Sequence, residues 1–317
     1  MMYTFIEKMG GNMEKKSFII TVDTEGDNLW SNDEVITTKN SKYIPRFQQL
    51  CEKYDFKPVY LVNYEMVNDK YFVEFARDAI RRDACEIGMH LHGWNNPPYY
   101  KIKNVIEERP YLIEYPNNVM EEKIKEITIC LEDTFNMDIV SHRAGRWAIN
   151  KEYVEILSKY GYKIDCSVTP HINWSKNVGA TGIKGPNYRR YIEKPSYLFN
   201  CILEVPMTIR RVRGIYSKSI KGILRDITIG KNLWMRPLNL DINEMEKIIC
   251  VVLDDNNTDY IEFMIHSSEL MPGGNIRFKS DNDIECLYYN MEKVFSDVST
   301  KFIGKTLREY SKDYLSK

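Results

Sequence analysis

Apolar residues follow two alternating rhythms along the chain. Seven short blocks rich in β-branched and aromatic residues read as buried strands: 17–23 (SFIITVD), 58–63, 85–92 (CEIGMHLH), 139–143, 163–167, 201–206 and 260–266 (YIEFMIH). Between them, apolar positions recur every three or four residues, as helices require. Ile44, Phe47, Leu50 and Cys51 share one face within 42–54, and Phe72, Phe75, Ala76 and Ala79 within 69–81. Met120, Ile124, Ile127, Leu131 and Phe135 follow, with Asn118 and Glu121 spaced as a cap. Asn150 is placed to cap a helix carrying Tyr153, Ile156, Leu157 and Tyr160, which Gly161 would end. Further helices are expected from Asp241 and Glu244 to Leu253 and over 281–299. Residues 94–116, with four prolines, read as a loop. Strands separated by helices of this length imply parallel βαβ units. Seven of them suit an α/β fold of the distorted (β/α) barrel kind. No phosphate-binding glycine turn, internal repeat or Gly/Ser-rich linker interrupts the pattern, so residues 17–317 are expected to form a single domain.

Composition narrows the function classes. The 317 residues carry 44 Lys+Arg and 45 Asp+Glu, a net charge of -1 that offers no global basic field for nucleic acid. Mean hydropathy is -0.45, and no apolar run approaches a membrane span. Seven scattered cysteines without a CxxC pair read as reduced thiols, and no secretory signal is visible, so a cytoplasmic location is expected. Met13 opens the run into the first strand. Gly10-Gly11 resembles a translated purine-rich ribosome-binding site, so residues 1–12 are expected to be leader and 1–16 a tail.

The chemistry-bearing residues sit where the strands end. Asp23 and Glu25 are two apart on an extended segment and point to one face. His90 and His92 repeat that spacing at the end of the third strand, and two of only five histidines fall in this one tripeptide. Two imidazoles with a nearby carboxylate make a three-ligand metal set with open positions, although capping and structural roles would also account for them. The fourth strand ends in Ser141-His142-Arg143-Ala144-Gly145-Arg146-Trp147, where an arginine can fix a carboxylate. His266 ends the last strand, a position suited to a general acid.

In order and chemistry, TVDTEGD, EIGMHLHGWNNPP, SHRAGRW, DCSVTP and FMIHSSELMPGG resemble the five motifs of the polysaccharide deacetylase (NodB-homology, carbohydrate esterase) family, over roughly residues 17–275. The chain resembles a divergent branch. Asp23 and Glu25 are separated by Thr24 where the family has adjacent aspartates, and the histidines are two apart instead of four, with Trp94 where the second would stand. The resemblance implies a NodB-like seven-stranded barrel and hydrolysis of an N-acetyl or N-formyl amino sugar. It implies a divalent metal, zinc before cobalt, manganese, nickel or iron, held by Glu25, His90 and His92. It further implies Asp23 as base, oriented by Arg143, His266 as acid, an oxyanion-binding backbone N–H near Gly145–Arg146, and Asp165 as the group that sets the tautomer of His266. Trp94, Trp147 and Trp174 lie beside motifs and are candidates for stacking on sugar or for core packing.

Other classes compete. HxH also marks amidohydrolase barrels, but there after the first strand. Two histidines and a carboxylate also mark iron oxygenases, whose fold lacks βα alternation. A non-catalytic carbohydrate-binding barrel would need neither base nor acid, and a metal hydrolase of non-sugar amides remains an alternative. Residues 209–236 carry eight Lys/Arg against one Asp. They are a solvated basic face or a contact for a diphosphate carrier or an anionic membrane, as a nucleotide- or lipid-linked sugar would need.

Overall fold

The computed structural model describes residues 15–31, 35–106, 108–237 and 242–316. The expected start at Met13 and the first residue of the helix expected at Asp241 lie outside them. The elements run β1 (Lys16–Thr24), α1 (Ile44–Glu52), β2 (Val59–Val62), α2 (Tyr64–Val67), α3 (Lys70–Arg81), β3 (Glu86–Leu91), α4 (Asn117–Phe135), β4 (Ser141–Ala144), α5 (Lys151–Lys159), β5 (Ile164–Asp165), β6 (Ser196–Leu198) and β7 (Ile202–Glu204). They continue with β8 (Ile209–Val212), α6 (Ile220–Thr228), β9 (Lys231–Trp234), α7 (Asn243–Asp254), β10 (Tyr260–His266), α8 (Asp281–Lys301), β11 (Phe302–Gly304) and α9 (Leu307–Ser316).

The main sheet has the order β10-β1-β2-β3-β4-β5-β7-β6, with β11 also on β1. All pairings from β10 to β7 are parallel, and only β6 runs against its neighbour. The seven strands from β10 to β7 are the seven apolar blocks of the sequence. Each is buried on both faces, which is why those blocks read as near-continuous apolar runs. β1 shares one edge between two partners: Lys16–Phe18 pair with β11 and Thr21–Thr24 with β2.

The sheet curls until its ends almost meet. The chain beyond β7 spans the gap, where Pro206 O accepts from Tyr260 Oη at 2.5 Å and Thr208 Oγ1 from Glu262 N at 2.8 Å. Alternate residues Ile19, Leu61, Ile164, Leu203 and Tyr260 fill the concave side together with Leu307 and Tyr310 of α9. The other face packs on the helices. Phe18 and Phe263 meet Phe295 of α8 at ring distances of 5.9 and 5.3 Å.

The expected caps are mostly present. Asn150 accepts from Tyr153 N at 2.9 Å, and Gly161 leaves α5 at φ +91°. The cap expected at Asn118 is not: α4 begins at Asn117 behind Pro116, without a side-chain cap. Glu121 instead pairs with Lys159 of α5.

Gly88, on the concave face of β3, sits where a Cβ would lie 2.6 Å from Ser141 Oγ and 2.7 Å from Leu61 Cδ2. Gly88→Ala should destabilise the fold by about 1–3 kcal/mol. Urea unfolding checks this, and an unchanged midpoint would show that the strand interior has slack.

Candidate active site

Strand register assembles one layer of side chains at the C-terminal mouth. Asp23 stands opposite His266 across β1 and β10, and His90 opposite Arg143 across β3 and β4. All four belong to the concave-facing half of their strands, as do Thr21 and Glu262 just below. Glu25 follows β1, and its backbone is pinned by Asn40 Nδ2 at 2.8 Å and Ser267 Oγ at 3.1 Å.

Glu25 is oriented from both sides. Its Oε1 accepts from Trp30 Nε1 at 3.1 Å, and its Oε2 lies 3.0 Å from His92 Nε2 and 3.4 Å from His90 Nε2. His90 Nδ1 donates to the carbonyl of Arg143 at 3.0 Å, which leaves Nε2 as the ligand-ready nitrogen. His92 Nδ1 is buried without a hydrogen-bond partner. Its ring lies against Gly145, where a Cβ would come 2.5 Å from that nitrogen.

These three residues fit a divalent cation. Ligand atoms of a tetrahedral zinc site with bonds near 2.0–2.1 Å stand about 3.3–3.4 Å apart, and the donors here already converge within 4.8 Å. Burial pushes His92 down to about 4, so its imidazole is neutral, as a ligand must be. Burial pushes the Glu25 carboxyl up, but the His90 and His92 rings against it outweigh that and hold it well below the usual carboxylate range.

Asp23 is the second buried carboxylate. Its Oδ1 accepts from Arg143 Nη1 at 2.6 Å, while Oδ2 faces His90 Nε2 at 3.9 Å and His266 Nε2 at 3.7 Å. Burial pushes its pKa up, but Arg143, His90 and His266 outweigh that and bring it below its ordinary value. Arg143 is fully buried. It donates from Nε to Cys166 O at 3.0 Å and from Nη2 to Thr21 Oγ1 at 2.9 Å, and it pairs with Glu262.

His266 has partners in either charge state. Neutral, its Nδ1 accepts from Arg236 Nη2 at 3.1 Å. As imidazolium it faces Asp23 through Nε2 and Glu269 through Nδ1 at 3.6 Å. Burial favours the neutral form, but Glu269 outweighs it, and the pKa lies above the ordinary histidine value.

Asp165 is not beside His266. It lies between Ile164 and Cys166, which face the barrel interior, so its side chain points out. There it meets His142, another outward residue, at 2.6 Å, and His142 Nε2 meets Tyr153 Oη at 2.7 Å. The carboxylate beside His266 is Glu269, and the expectation for Asp165 is corrected accordingly.

Arg146, Trp147 and Trp174 line a cavity of about 250 Å3 together with the ligands, Asp23 and His266. The Arg146 guanidinium is committed to the carbonyls of Arg109 and Val178. Arg146 and Trp147 both have left-handed backbone, φ 56° and 62°, a strained turn at the site's rim. Gly145 is buried beneath His92. Trp94 packs on His92 at 4.4 Å but opens onto a neighbouring cavity. Trp30, Arg236, Glu262 and Glu269 were not singled out from the sequence. Trp30 and Arg236 come from outside the motifs, whereas Glu269 lay three residues after His266, at a turn's spacing.

No family model matches the chain, and no curated protein matches it by sequence. Solved structures do. 4-alpha-glucanotransferase from Thermococcus litoralis superposes with TM-score 0.54 at 13% identity, covering 96% of this chain and 41% of that one. The peptidoglycan deacetylase PdaC from Bacillus subtilis gives TM-score 0.44 at 8% identity, covering 95% and 93%. A CE4 family pseudoenzyme from Bacillus anthracis gives 0.43 at 9%, covering 93% and 65%. The fold is similar to that of the glucanotransferase. At these identities the likeness is one of fold alone.

His92→Ala and His90→Ala should each lose the metal, because two remaining donors seldom retain a catalytic ion. Elemental analysis of the purified protein should find about one zinc-class ion per chain in the wild type. Full occupancy in His92→Ala would move the ligand set elsewhere.

Proposed function

We propose that the chain is a metal-dependent amide hydrolase that removes an N-acetyl or N-formyl group from an amino sugar. The observation that carries this is the sharing of one small cavity by a metal-ligand triad, an oriented carboxylate and a doubly partnered histidine. A binding site needs no such base and acid pair.

A divalent cation held by Glu25, His90 and His92 would polarise the scissile carbonyl and acidify water beside it. Asp23 takes the water's proton on Oδ2. Arg143 occupies Oδ1, so the free oxygen is the one aimed into the cavity. Its depressed pKa keeps Asp23 ionised and ready to accept. The tetrahedral carbon collapses only if the nitrogen leaves as an amine, and His266 donates the proton it needs from Nε2. Glu269 faces Nδ1 of the imidazolium, and Arg236 donates to Nδ1 when that nitrogen carries no proton. We assign the developing oxyanion to a backbone N–H of the Gly145–Arg146 turn as well. Trp147 and Trp174 offer ring faces for the sugar.

Asp23→Asn should keep the metal and lose roughly 100-fold or more in turnover, since an amide cannot take the proton. His266→Ala should do the same. Glu25→Gln should weaken metal binding, with activity partly restored by added metal. Acetate or formate release from N-acylated hexosamines, measured with metal content on all three, checks the assignment. Metal-free Asp23→Asn with metal-loaded, inactive Glu25→Gln would swap the roles, and normal turnover in all three would end the hydrolase assignment.

The same roles set the alkaline limb of the rate. His266 acts as the protonated form and its pKa is raised, so activity should persist above pH 6.5 and fall as pH rises through the elevated value. Glu269→Gln removes the main raising group and should move that limb to lower pH. A limb that stays put would show that His266 is not the acid.

A further inference from the structure

Residues 209–236 leave the barrel as the antiparallel pair β8–β9, with α6 in the connection between them. α6 turns most of its apolar side chains outward. Its inner side carries Asp226, fully buried, which accepts from Ser217 Oγ at 2.6 Å and pairs with Arg225 at 3.2 Å. Gly222 shares that side, packed on Ser217 and Ser219. Its outer side carries Ile220, Leu224 and Ile227, 88%, 63% and 48% exposed and spaced i, i+4, i+7. Ile215 and Ile229, before and after the helix, are 69% and 59% exposed. A surface helix ordinarily turns such a stripe toward the core. Here the protein side carries Asp226, Gly222 and the half-buried Ile223, while the longer apolar stripe faces out, the mark of an interaction surface.

Charge identifies what covers it. Lys218 and Lys221 flank the stripe, and Arg211 and Arg213 approach from β8 and the turn after it, all exposed, while Arg225 is paired with Asp226. The segment's one acid, Asp226, is buried. On neighbouring α7, Glu244 is paired with Lys231 at 2.5 Å, which leaves Glu246 as a nearby exposed acid. A second copy of this chain would set two basic rims against each other. An anionic bilayer takes both features at once, with isoleucine and leucine at the acyl boundary and lysine and arginine on the phosphates. No helix among the described residues is long and apolar enough to cross a membrane, so the contact is peripheral.

The same hairpin reaches the catalytic cavity. Trp234 of β9 lies 6.2 Å from Trp174 on the cavity wall, and Arg236, two residues on, holds His266. We propose that α6 docks the protein on an anionic membrane surface and that the amino sugar arrives there linked to a lipid. The docking stands on the helix alone, whereas the lipid-linked substrate rests on the hydrolase assignment above.

The test uses the full chain and vesicles of phosphatidylcholine with and without phosphatidylglycerol. Wild type should sediment with the mixed vesicles, less so at high salt. The triple variant Ile220→Glu, Leu224→Glu, Ile227→Glu should bind about tenfold or more weakly, with an unchanged unfolding midpoint because all three side chains are exposed. Lys218→Glu with Lys221→Glu should lose the preference for phosphatidylglycerol. Equal vesicle binding by wild type and the triple variant would overturn the docking. So would a wild-type dimer that the triple variant converts to monomer, which would assign the stripe to self-association. Two rates separate the two proposals. Deacylation of a soluble N-acetyl hexosamine should be the same in both proteins, and that of N-acetylglucosamine on a polyprenyl diphosphate in vesicles should fall in the variant. Vesicle binding without deacylation of either substrate would keep the docking and remove the hydrolase assignment. Soluble deacylation without vesicle binding would do the reverse.

Discussion

The mouth of the barrel is organised around a guanidinium buried beneath it. Arg143 rises from β4 and crosses the interior to β1 and β10, where it meets Asp23, Thr21 and Glu262. Desolvating that charge is tolerable only because its donors are met by carboxylates, a hydroxyl and the Cys166 carbonyl, and stripping one partner from such a pair typically costs about 3–5 kcal/mol. The arrangement also sorts the two carboxylates. Burial lifts Glu262 to about 7 despite the arginine, whereas Asp23 is lowered. Of the two carboxyls beside Arg143, the one that opens to the cavity is the more acidic.

The barrel strands were legible because parallel strands buried on both faces leave little room for polar residues, as SFIITVD and YIEFMIH show. The strand-end chemistry was legible because spacing of two puts Asp23 and Glu25, and His90 and His92, on one face whatever the partners. Phase between strands was not legible. Asp165 looked like a cavity residue because it ends a strand, yet β5 is two residues long and its neighbours, not its position, decide which way it points. Strands β8 and β9 went unseen for a related reason. A short hairpin outside the barrel, with arginines in IRRV and one buried residue in KNLW, has no apolar run to announce it.

The outward-facing His142, Asp165 and Tyr153 form a polar layer behind the site. Ser167 Oγ joins it, donating to Asp165 at 2.8 Å and accepting from Ala144 N at 2.8 Å. That bond fixes the backbone just before Gly145, and so the floor on which the His92 ring rests. The SHR and DCS strings thus serve the site from opposite sides of one sheet, Arg143 from within and His142 with Asp165 from without.

The pairing of β1 also governs when this protein can become a barrel. β1 is made well before its partners β10 and β11, which come more than two hundred residues later in the sequence. At about 5–20 residues per second, the strand that bears Asp23 waits on the order of ten to fifty seconds for β10. During that interval an apolar strand has one edge open and its neighbours β2 to β5 already available. Helix α9, made after β10 and β11, then closes the floor, so the nascent chain cannot hold a finished cavity until that helix has emerged.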